Sequence, residues 1–112
     1  MLSKRLFTGA ALLTVSISAQ AGISKAEYLK GCNILENAAM VVMQARQEGA
    51  PMATLWEISE KNDNKFIAKM YQKLIQDAFE EPRRETEEQQ KVATTEFQNK
   101  YFAACLVSTP KE

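Results

Sequence analysis

The two cysteines, Cys32 and Cys105, constrain the fold of this chain most, and its first 21 residues decide how they are read. Residues 1–21, MLSKRLFTGAALLTVSISAQA, have the three parts of a cleavable secretory leader. Lys4 and Arg5 open it, an apolar run extends from Leu6 to about Ile17, and Ala19-Gln20-Ala21 supplies the small-x-small cleavage pattern. The run is too short and too rich in Ser and Thr to serve as a permanent anchor. Cleavage near Ala21 would leave residues 22–112 as a single helical domain, periplasmic or secreted. That space is oxidising, so Cys32 and Cys105 are expected to pair. Leu29-Lys30-Gly31-Cys32 superficially imitates a lipobox. The charged Lys30 and the distance from the apolar run argue against lipidation, so no stable membrane anchor is expected.

Removal of Lys4 and Arg5 from the 14 basic residues leaves 12 against 14 acidic ones, a net charge of −2. That balance argues against nucleic acid, which demands a basic surface. No polybasic run offers itself to a membrane. The chain has no histidine, which removes the commonest general base and a leading metal ligand. With the thiols paired, cysteine nucleophiles and thiolate zinc sites go too. The expectation is a non-enzymatic protein with no cofactor and no bound metal.

Four helices are delimited by their start and stop signals. Ser24-Lys25-Ala26-Glu27 is a capping box, and the helix it opens runs to about Glu48, where Gly49 suits the left-handed C′ position. Pro51 fits the first turn of a short second helix, to about Glu60. Asn62-Asp63-Asn64 breaks it and caps a third. There Phe66, Ile67, Met70, Tyr71, Leu74, Ile75 and Ala78 form one apolar stripe at helical spacing, on a helix that Pro82 ends or kinks. Thr86-Glu87-Glu88-Gln89 is a second capping-box pattern. It starts a fourth helix whose core face is Ala93, Phe97, Tyr101, Ala104 and Cys105. No segment alternates with period two. The fold class is all-α: a small four-helix bundle, one helix short, with a disulfide joining the first and last helices.

That disulfide would close a loop of about 73 residues. In the chain-entropy model it is worth about 4 kcal/mol, against a total stability of about 5–10 kcal/mol for such a domain. It requires the first and last helices to be neighbours, most simply antiparallel. Gly31, next to Cys32, costs about 1 kcal/mol of helix propensity. A close approach of the fourth helix at the disulfide would explain it.

The apolar residues of the first helix cover roughly 200° of its circumference, twice the usual stripe. The helix is expected to be central, packed on by the other three; the alternative is one flank kept for a partner, including a homodimer formed through this helix. Arg46 falls in the middle of that apolar arc. It either snorkels at the helix end, where the dipole favours a cation, or receives a carboxylate from this chain or a partner. Trp56 is either the lid of the core or a partner hot spot. Met40, Met43, Met52 and Met70 suggest a methionine-rich interior, or else an adaptable groove. Glu80-Glu81-Pro82-Arg83-Arg84-Glu85 is expected to be a solvated connection.

Cys32, Ala38-Ala39, Arg46-Gln47-Glu48-Gly49 and the aromatic-x-x-x-Cys of Tyr101 to Cys105 together resemble a loose group of small exported bacterial helical proteins. The resemblance spans most of residues 22–112. It implies fold and location and carries over no functional residue. In size, compartment and helical content the chain is also similar to helical periplasmic immunity proteins that neutralise cell-wall amidase effectors, a likeness at the level of fold.

The function expected is therefore contact with another periplasmic or secreted protein, as an inhibitor or immunity protein. The candidate contact residues are Arg46, Trp56, Met40, Arg83 and Arg84. The alternatives are an envelope-stress chaperone, for which histidine would be the usual pH sensor, and a carrier of a small apolar ligand.

Overall fold

The structure, a computed structural model, describes residues 22–111; the predicted leader, residues 1–21, lies outside them. Four helices follow in order: α1 (Lys25–Gln47), α2 (Met52–Glu60), α3 (Lys65–Ala78) and α4 (Glu87–Val107). The described residues form no strand.

The caps do what their chemistry requires. At α1 the Glu27 amide donates to Ser24 Oγ at 3.1 Å, and the Ser24 amide donates back to Glu27 Oε1 at 3.4 Å. Its other end is a Schellman turn: Ala50 N–H donates to the Ala45 carbonyl and Gly49 N–H to that of Arg46. Gly49 has φ +95°, where a Cβ is strained. Pro51 stands one position before the expected place: it is the N-cap of α2, with ψ 142°, and its carbonyl accepts from Thr54 and Leu55. Asn64 Oδ1 caps α3 by accepting from the Phe66 and Ile67 amides. Thr86 Oγ1 caps α4 by accepting from Gln89 N–H.

α1 and α4 run antiparallel along most of their length. Cys32, early in α1, is bonded to Cys105, late in α4, with Cα atoms 5.7 Å apart. The expected disulfide between first and last helices is present. α3 packs on α1 beyond the disulfide, and their shared core comprises Ala38, Ala39, Val42, Met43, Leu74, Ile75, Ala78 and Phe97. The Phe97 and Tyr101 rings meet edge to face at 5.1 Å.

α2 rests chiefly on α3, not on α1. Ser59, buried between them, donates to the Trp56 carbonyl and accepts from Gln72 Nε2. The expectation that three helices enclose α1 is therefore corrected. α1 is covered by α3 and α4, and its apolar arc is wider than they can cover. Ile34 is 56% exposed and Val41 53%.

Other expectations change for the same reason, that burial needs a neighbour on the right side. Phe66 heads the α3 stripe yet is 77% exposed, because nothing covers that side of the first turn. Ala104 is exposed, since α1 alone packs on the end of α4 and one neighbour covers a narrow arc. Of the methionines expected in the interior, Met43 is fully buried, Met40 and Met70 are half-buried and Met52 is exposed. Gly31 faces open space: a Cβ there would meet nothing within 4 Å. Close approach of α4 is not its reason.

Candidate functional site

Burial of α1 ends on a polar residue. Gln47 continues the row Ala39, Met43 at four-residue spacing and is fully buried. Its Nε2 donates to the Pro82 carbonyl at 3.1 Å and lies 3.4 Å from Met43 Sδ. Its Oε1 accepts from Arg84 N–H at 2.7 Å, and its own backbone carbonyl, freed by the end of the helix, accepts from Arg83 Nε at 2.7 Å. Arg46 Nε and Nη2 both donate to the Glu81 carbonyl, at 3.2 and 3.1 Å, and its guanidinium lies 4.8 Å from the Phe79 ring centroid. Gln90 Nε2 of α4 donates to the Arg84 carbonyl at 2.9 Å.

The segment expected to be a solvated connection is thus pinned to the end of α1. Its backbone carbonyls and amides find partners on Arg46, Gln47 and Gln90, while Glu80, Pro82, Arg83 and Glu85 stay exposed. The Arg83 guanidinium also lies over Gly49, where an added Cβ would meet its Nη2 at 3.5 Å.

A second polar cluster ties α3 to α4. Tyr101 Oη donates to Asp77 Oδ2, and Lys73 Nζ pairs with Asp77 Oδ1 at 3.0 Å. Burial alone would raise the Asp77 carboxyl. Hydrogen bonds from Tyr101 and Lys73, with the charges of Lys73 and Lys100, outweigh it and hold Asp77 below the ordinary range. Burial, the hydrogen bond to Asp77 and the negative charges of Asp77 and Glu80 all push the Tyr101 phenol well above its usual value. This cluster is a clasp between helices, because each of its groups is satisfied by another.

Two concave surfaces lie on either side of α1. One is an open polar groove of about 570 Å³ between α1 and α4, where Met40 lies with Gln44, Gln47, Gln90, Thr94 and Gln98. The other, about 360 Å³, opens between α1, α2 and α3 and is apolar: Val41, Val42 and Ala45 face Leu55 and Ile58, with Tyr71 and Ile75 nearby. Val41 and Ile58 line this groove while each remains more than half exposed. Ser59 and Asn62 are its polar members, and Tyr71 is its one ionisable residue.

The candidate contact residues are distributed over three places. Arg46, Arg83 and Arg84 meet at the end of α1, Met40 lines the polar groove, and Trp56 packs half-buried against the core while bordering a shallow patch with Met52, Ala53 and Glu57. Sequence reading missed Gln47, whose signal was a polar side chain on the buried row of α1, and the Asp77–Tyr101 clasp. It also missed the Val41–Ile58 groove, because facing flanks of two helices cannot be paired without the fold. Among the described residues no group of three or more His, Cys, Asp or Glu is placed to hold a metal, and no helix is long and apolar enough to cross a membrane. Comparison with protein-family models, with curated proteins and with solved structures finds no match.

Proposed function

We propose that this chain is an exported binding protein that acts by contact with another protein outside the cytoplasm, in the manner of an inhibitor or immunity protein. The observation that carries this reading is the apolar groove between α1, α2 and α3. Val41 and Ile58, 53% and 60% exposed, stand on its two walls. Large apolar side chains held exposed on rigid helices cost solubility, and around a concavity they supply the anchors of an interface. The lining, apolar but for Ser59, Asn62 and Tyr71, suits burial of an apolar surface.

The test uses surface variants that leave the core intact. Tagged protein is exposed to periplasmic extract in wild-type, Val41→Asp and Ile58→Asp forms. The reading expects one stoichiometric partner on the wild type, identified by mass spectrometry and lost with both variants. Absence of any stoichiometric partner would sink it.

The size and lining of the same groove favour a second reading, a carrier of a small apolar ligand, since about 360 Å³ falls within the range of small-molecule sites. Saturable binding of an apolar fluorescent probe, abolished by Ala45→Phe filling the groove, would distinguish a carrier from a docking face.

A further inference from the structure

We propose that the Cys32–Cys105 disulfide is a redox-sensitive latch on a two-helix arm that opens while the rest of the bundle stays folded. The arm consists of residues 25–34 of α1 and 102–107 of α4. Within it Cys32 is the one buried residue; Tyr28, Leu29, Phe102 and Cys105 are half-buried and the remainder are exposed. None of its apolar residues belongs to the core cluster or packs against it: the residues in or on that cluster begin at Leu35 in α1 and end at Tyr101 in α4.

The boundary is set by the Tyr101–Asp77 clasp, the last side-chain hydrogen bond between α4 and α3. At the opposite end of α1 the Gln47 cluster closes the core independently of the disulfide. The arm is therefore two helical segments with a narrow apolar seam, too little to hold helices of this length together unaided. Gly31 weakens it further, with no packing that requires a glycine there.

Opening proceeds by thiol–disulfide exchange with an external dithiol. Its thiolate attacks Cys105, the partner that keeps some solvent exposure. The sulfur–sulfur bond breaks, a mixed disulfide forms on Cys105, and Cys32 leaves as a thiolate that takes up a proton. The second thiol of the reductant then displaces Cys105, so the dithiol is oxidised to a disulfide and the cysteine pair gains two electrons and two protons. Freed of the bond, the arm frays and exposes Leu29, Phe102 and both thiols. The Val41–Ile58 groove, which lies outside the arm, keeps its shape.

Hydrogen exchange read by mass spectrometry, on oxidised protein and on protein reduced with a phosphine, tests this directly. Amides of residues 27–34 and 102–107 are expected to exchange at least about tenfold faster after reduction. Those of 38–47, 70–78 and 90–97 should change by less than about threefold. Gly31→Ala should slow exchange of the reduced arm about fourfold while leaving the core unchanged. Exchange that accelerates uniformly, or a reduced protein that unfolds as a whole, overturns the latch. So does an arm whose protection survives reduction.

Discussion

Gln47 Oε1 accepts the Arg84 amide at 2.7 Å while Gln47 Nε2 donates to the Pro82 carbonyl at 3.1 Å, so one buried side chain closes a loop of 37 residues. Truncating it leaves an amide and a carbonyl without partners, at about 1–3 kcal/mol for each group that stays dry. Gln47→Ala is expected to lose about 3 kcal/mol, and the exposed neighbour Gln44→Ala less than about 0.5 kcal/mol. Urea unfolding of the oxidised proteins measures both. Equal midpoints for the two variants would show that water replaces the lost contacts.

Arg46 is held by geometry as well as charge. Two of its guanidinium nitrogens share the Glu81 carbonyl, and its Cζ lies over the Phe79 ring. Lysine keeps the charge but has neither the fork nor the flat stacking surface. Arg46→Lys should cost about 1 kcal/mol, seen as a drop in Tm of about 4–8 °C for a domain of this size. An unchanged Tm would mean that the charge at the helix end is all that matters here.

How far the fold could be read from residues depends on whether the signal is local. Ser24 with Glu27, Asn64, Thr86 and Gly49 act within one turn of chain, and each sets a helix boundary where its chemistry places it. The disulfide was legible from the predicted leader and the cysteine number. Burial was legible only where two helices overlap: the α3 stripe holds at Leu74, Ile75 and Ala78 but fails at Phe66, beyond its neighbours' reach. The Gln47 cluster was illegible as a cluster. Its acceptors include the backbone carbonyls of Gln47, Glu81, Pro82 and Arg84, and a carbonyl has no letter in the sequence. The same holds for the groove, whose walls are set by α2 resting on α3.

Gly31 lies mid-helix with open space where its Cβ would be. Gly31→Ala should therefore stabilise the oxidised protein by about 0.5–1 kcal/mol, through helix propensity and a less flexible unfolded chain. Raised Tm and an unchanged urea m-value are the expected readouts. A loss of stability would mean that something packs against this position after all.

The Asp77–Tyr101 clasp gives the stability of the bundle two pH limbs. Asp77 is held below the usual carboxylate value of 3.8, so its contribution is complete above that value and disappears as pH falls through the lower folded pKa. Tyr101 is raised above its usual value of 10.0, so its contribution is complete below pH 10 and declines as pH rises beyond it. Tyr101→Phe removes the donor that stabilises the carboxylate and the titrating phenol together. It should cost about 2 kcal/mol at pH 7, as expected for a hydrogen bond to a charged group. The gap between wild type and variant should narrow as pH falls below 3.8 and as it rises beyond 10. Urea midpoints from pH 2.5 to 11 measure the difference, and a gap that stays constant across that range would exclude a proton-linked clasp.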